Sequence, residues 1–275
     1  MDTLRIHRAK SYDGTEIAAH VQGQGSPLVF LPAGPGDSKT SWHVLLPFMS
    51  QRFTCYLMDT RGRGMSAQNP DHSPERLVED INAFVKSIGK PVGLLGWGSC
   101  HWVPVAAHNI TSIAAVAAYD PGVDEVMREE VAARFMDVVE RMGKAVAEDR
   151  LTGAAEILVE GCPIYTPEEV AEGAPSAFWR AAASNIPVFL EEEQQATESG
   201  ELSLTDPSVL AKITVPVLLL NGERSHPYFA DSVHYIAEHV ADARVRDVAG
   251  AGHFGPYTKP ETVAEELIRF STNRL

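Results

Sequence analysis

Cysteine is scarce in this chain. Cys55, Cys100 and Cys162 are too few and too odd in number to build a disulfide framework, and their spacing fits no zinc motif. Basic residues are also under-represented: 23 Lys and Arg stand against 37 Asp and Glu, giving a net charge of −14. No basic cluster is present to hold a phosphate backbone, so nucleic acid is not an expected partner. No apolar run approaches the roughly 18 residues of a membrane helix, and none follows the charges of the first ten residues as in a secretory signal. A dinucleotide fingerprint after a first strand is missing, as is a clustered His/Cys ligand set, so neither an organic cofactor nor a metal is implied. These absences point to a reduced, cytoplasmic protein acting on a small molecule, with no membrane partner; oligomeric state is not encoded legibly.

What is present is a chain of 275 residues, 44% of them hydrophobic, enough for one large α/β domain. Residues 4–7 and 16–21 read as strands flanking the turn pair Asp13-Gly14. Residues 27–31 and 54–58 form further strand-like runs, each ending in a glycine-rich turn. Between them, 41–49 reads as one helix with Trp42, Leu45, Leu46 and Met49 on a face. Residues 74–88 form a clearer helix with an apolar stripe, stopped by Gly89. Runs 92–95, 114–118 and 215–220 read as buried parallel strands, so the pattern implies βαβ units around a mostly parallel sheet.

The alternation breaks over 124–207, which is helical in pattern and rich in Glu and Ala. It reads as a helical cap inserted into a core made of 1–123 and 208–275. The run Glu191-Glu192-Glu193-Gln194-Gln195 within it reads as a solvated helix face.

Four segments, in order, resemble the α/β-hydrolase superfamily nearly end to end. Leu31-Pro32-Ala33-Gly34-Pro35-Gly36 is similar to the loop after the third strand that supplies an oxyanion-hole amide. Asp59-x-Arg61-Gly62-x-Gly64-x-Ser66 resembles the glycine-rich turn after the fourth. Residues 94–102 occupy the position of the nucleophile elbow, and Gly250-Ala251-Gly252-His253-Phe254 resembles the loop presenting the catalytic histidine, with a C-terminal helix from Glu261. The resemblance implies an α/β-hydrolase fold, a mostly parallel sheet flanked by helices, with a helical cap before the last strands.

The elbow departs from the family pattern Gly-x-Ser-x-Gly. Starting at Gly96, the nucleophile position falls on Gly98, which has no side chain, and Ser99 stands one place late, where the family uses a backbone N–H. Pro104 removes a helical N–H soon afterwards. A rival register makes Ser99 the nucleophile; Cys100 is a weaker candidate, since free cysteines usually pack in cores. The acid is displaced as well. The site after the strand that follows the cap holds Ser225, with Glu223 and Asp231 nearby, whereas the strand before the cap ends in Tyr119-Asp120. The favoured pairing is His253 with Asp120, although an Asp-Pro pair also simply closes strands. Trp97, His101, Trp102, Ser225 and His226 are the candidate pocket residues.

A histidine oriented by a carboxylate is a general base with or without a serine. The N–H groups of Gly34 and Ser99 are candidates to hold the resulting enolate or alkoxide. The combination resembles the cofactor-free dioxygenase branch that cleaves 3-hydroxy-4-quinolones, with Trp102 a local similarity. That resemblance implies base chemistry on a small aromatic or carbonyl-bearing substrate, by oxygenation, elimination or C–C cleavage. Two alternatives stay open: a hydrolase of esters, lactones or amides acting through Ser99 or an activated water, and a non-catalytic small-molecule binding protein.

Overall fold

The computed structural model describes residues 5–108, 111–199, 203–271 and 274; Leu4, at the start of the first expected strand, lies outside them. Eight strands form one sheet: β1 Arg5–Lys10, β2 Glu16–Gln22, β3 Ser26–Phe30, β4 Phe53–Met58, β5 Val92–Trp97, β6 Ile113–Tyr119, β7 Val217–Gly222 and β8 Ala243–Val248. Their order is β1-β2-β4-β3-β5-β6-β7-β8. β1 and β2 form an antiparallel hairpin, β2 runs antiparallel to β4, and every later pairing is parallel.

The buried strand residues sort by parity, as a two-residue period requires. Leu28, Phe30, Leu95, Ala117 and Leu218 join one apolar cluster, and Val29, Leu94, Val116, Val217 and Leu219 join the other. Strands buried on both faces have no polar side to alternate with, which is why they read as continuous apolar runs. β8 escapes that signature. Its Arg244, Arg246 and Asp247 are exposed, in keeping with a charged edge strand that resists pairing with other chains.

Thirteen helices are described: α1 Ser38–Trp42, α2 Leu46–Met49, α3 Pro74–Ser87, α4 Trp102–His108, α5 Glu129–Ala147, α6 Leu151–Gly161, α7 Pro167–Glu172, α8 Ala174–Ala182, α9 Ile186–Ser199, α10 Pro207–Leu210, α11 Pro227–His239, α12 Gly255–Thr258 and α13 Pro260–Ser271. The single helix expected over 41–49 is two short ones, because Pro47 lacks an N–H and fits only a first turn, so a new helix starts at Leu46. Pro104 is likewise no anomaly: α4 begins at Trp102, and the third residue of a helix has no intrahelical N–H partner to lose. None of these helices is long and apolar enough to cross a membrane.

Between β6 and β7 the described residues are helical and contain no strand. Leu158, Phe178 and Trp179 from this segment join the apolar cluster that contains Trp97 and Tyr119. The segment is therefore anchored by packing over the strand ends. The Asp59–Ser66 turn is held from inside: Asp59 accepts the N–H groups of Ser38 (2.6 Å) and Met65 (2.9 Å). Arg61, fully buried, makes two 2.7 Å bonds to Asp80. Removing one partner of such a buried pair costs about 3–5 kcal/mol, so this arginine belongs to the architecture.

Candidate functional site

The carboxyl ends of parallel strands are where open α/β sheets bind ligands, and four loops converge there. Gly98 follows β5 with φ +74°, a left-handed conformation that glycine adopts without steric penalty. Its N–H donates to Tyr119 O (3.0 Å), and its carbonyl accepts the Gly122 N–H (2.7 Å). A Cβ placed on Gly98 would stand 3.8 Å from His253 Cε1 and 4.0 Å from Nε2, with no other described atom within 4 Å apart from its own chain neighbours. The space a nucleophile would fill is thus open and faces the imidazole.

Asp120, immediately after β6, has φ +41° and is fully buried. Only one other non-glycine residue among those described, Asp149, has a positive φ, and such strain persists where the surroundings enforce it. Here three groups do. Oδ1 accepts the Gly222 N–H at 2.8 Å, and Oδ2 accepts the Ser225 hydroxyl at 2.6 Å and lies 3.3 Å from His253 Nδ1. With Nδ1–H assigned toward the carboxylate, the Nε2 lone pair faces Gly98.

His253 is packed as well as hydrogen-bonded, contrary to what a glycine-rich loop suggests. Its side chain is 12% exposed. The ring stacks on Phe229 at 4.2 Å and 5°, with Tyr165 near-parallel at 6.3 Å. Trp97 Nε1 donates to His253 O (2.9 Å), and Tyr119 OH donates to Gly252 O (2.7 Å).

Gly98, Ser99 and His253 open onto a chamber of about 350 Å³, within the size range of small-molecule sites. Trp97, His101 and Gly34 also line it, while Trp102, Ser225 and His226 do not. Trp102 is buried in the core, in the apolar cluster with Leu94 and Val116. Ser225 supports Asp120 from behind, and His226 caps α11 through Nδ1, which accepts the Tyr228 N–H. The other acids considered sit elsewhere: Glu223 accepts the Gly250 N–H (2.7 Å), and Asp231 is exposed.

Ser99 is engaged by His101. Its hydroxyl bonds His101 Nδ1, and its N–H donates to Trp97 O at 2.9 Å, so the amide expected to serve an oxyanion is already engaged. Burial, reinforced by the Arg63 charge, pushes the His101 imidazole down to about 4. Cys100 is buried with its thiol donating to Gly122 O (3.1 Å), and burial raises its pKa.

The run in α9 is a solvated face only in part: Glu191 and Gln194 are exposed, whereas Glu192 and Glu193 are half-buried. Glu192 pairs with Arg63, whose guanidinium also donates to Gly34 O and Gly36 O. Glu192 and Glu193 both line the chamber, and burial lifts each carboxyl to about 7. Sequence patterning missed this arrangement because the partner of Glu192, Arg63, is 129 residues away. No group of three His, Cys, Asp or Glu side chains suited to a metal occurs among the described residues.

Residues 28–266 match the alpha/beta hydrolase family. A 2-(acetamidomethylene)succinate hydrolase of Mesorhizobium japonicum is 22% identical over 95% of this chain and 94% of its own length. Strigolactone esterase D14 of Arabidopsis thaliana is 26% identical over a shorter stretch, 37% of this chain and 36% of that protein. Among solved structures, an esterase from Thermogutta terrifontis superposes with a TM-score of 0.76 at 18% identity, covering 98% of both chains. With the match spanning most of its length, this chain belongs to the alpha/beta hydrolase family.

Proposed function

We propose that this chain is an enzyme without a side-chain nucleophile, in which His253, oriented by Asp120, acts as a general base directly on a substrate bound in the chamber. The observation that carries this reading is the Gly98 elbow: it keeps the positive φ and the approach to Nε2 but carries no hydroxyl. An imidazole with its Nδ1 held by a buried carboxylate and its Nε2 facing open space abstracts a proton from whatever sits there. Residues 124–207 act as the cap, supplying Tyr165, Phe178 and Trp179 as the apolar wall over the site. The substrate class favoured is a small aromatic or carbonyl-bearing molecule. Its anion then reacts with oxygen or undergoes elimination or C–C cleavage.

A second reading is hydrolysis by a water that His253 activates in the space above Gly98. The hydrolase and esterase names of the relatives favour it. Both readings exclude an acyl-enzyme. The deciding experiment is intact-protein mass spectrometry during turnover, with oxygen uptake followed in parallel over a panel of phenolic, hydroxy-ketone and ester substrates. No covalent adduct is expected; oxygen uptake supports the first reading, and acid release without it supports the second. An acyl adduct on Ser99 would restore ordinary serine hydrolysis.

A further inference from the structure

One buried carboxylate touches the histidine loop without touching the substrate chamber. Glu169, in the first turn of α7, is 4% exposed. Its Oε2 accepts the Thr166 N–H at 2.9 Å in a capping box. Its Oε1 reaches out of that box and accepts the backbone N–H of His253. A capping glutamate ordinarily serves its own helix only; this one spans 84 residues to the loop that carries the imidazole. The loop's sequence accommodates it, since a Cβ on Gly252 would overlap the Glu169 carboxylate. The close approach therefore explains the glycine before the histidine, which left-handed geometry does not, as Gly252 has no positive φ.

Bonds from the strand ends also hold the loop: Trp97 holds the His253 carbonyl, Tyr119 the Gly252 carbonyl, Glu223 the Gly250 N–H and the Arg224 N–H the Ala251 carbonyl. The His253 N–H is held from α7. We propose that Glu169 is a positioning residue, through which the seating of the segment between β6 and β7 sets the His253 ring against Asp120. The inference rests on the reading of His253 as the base. An exposed ion pair, Arg224–Glu172, joins the same helix to the strand-end loop at 2.6 Å. It provides a control, because an exposed pair contributes little to stability.

The test uses the full chain labelled with 15N-histidine, the His253 ring signals being assigned by their loss in His253→Gln. Glu169→Ala is expected to shift the Nδ1–H resonance and titration of His253 and to lower turnover on the order of 10²-fold with KM unchanged. Glu169→Gln, which keeps an acceptor oxygen, restores both in large part, and Glu172→Gln leaves the His253 signals as in wild type. A folded Glu169→Ala protein with unaltered His253 signals overturns the inference. If that variant does not fold, Glu169→Asp decides by the same measurement: its carboxylate is one methylene short, and unaltered signals again overturn the inference. Failure of the base reading is separately visible, as turnover that survives in His253→Gln.

Discussion

Gly98 faces the His253 ring: a Cβ built on it would lie 3.8 Å from Cε1 and 4.0 Å from Nε2. A serine hydroxyl one bond further out falls within hydrogen-bond reach of that nitrogen. Ser99, the next residue, is instead bonded to His101.

A serine-directed fluorophosphonate is therefore expected to leave the wild-type protein unlabelled, and Ser99→Ala to lower turnover by less than tenfold. Gly98→Ser should introduce labelling at position 98 and a weak esterase activity. The left-handed φ makes that substitution destabilising by roughly 1–2 kcal/mol, a loss readable in urea unfolding. Stoichiometric labelling of wild-type Ser99 contradicts this arrangement.

Replacing His253 tests the base and the packing separately. His253→Gln and His253→Ala should each lower turnover at least about 10²-fold. Because the ring stacks on Phe229, the alanine variant should also melt lower, whereas His253→Phe keeps most of the packing and none of the activity. Turnover within tenfold of wild type in the glutamine variant removes His253 from the mechanism.

Asp120 accepts three donors, of which Ser225 gives the shortest bond at 2.6 Å. Asp120→Asn should abolish most activity, since an amide in that place favours the wrong imidazole tautomer. Ser225→Ala removes one donor and leaves His253 and Gly222 in place; stability should drop about 1–3 kcal/mol, with a smaller effect on turnover. Equal activity losses in the two variants would assign Ser225 more than support.

Burial raises the Glu192 carboxyl from 4.5 to about 7. Between these values the folded protein holds a proton that the unfolded chain has released. This contribution to stability is fully present below 4.5 and is lost as pH rises through about 7. Glu192→Gln should flatten the fall in urea midpoint across that window. A slope identical to wild type would show that Glu192 ionises as an ordinary surface glutamate.

The sequence by itself determined the fold class and singled out His253 and Asp120 as residues to look for. The βαβ alternation, three glycine-marked turns and the loop around His253 all rest on local constraints: buried strands must be apolar, and tight turns need glycine. It also drew attention to Gly98, because the elbow is a local motif with fixed spacing. The charged edge strand β8 and the break in the 41–49 helix were less legible, the first because charge hides the apolar pattern and the second because one proline outweighed the periodicity. Only the tertiary structure decided which side chains meet. Ser225 supports Asp120 across 105 residues, Glu192 finds Arg63 across 129, and Glu169 reaches the His253 amide across 84. Such partners carry no sequence period, since each pairing depends on how the helical segment lies on the sheet. The same glutamate is solvated on a free helix and buried once that helix packs over the strand ends.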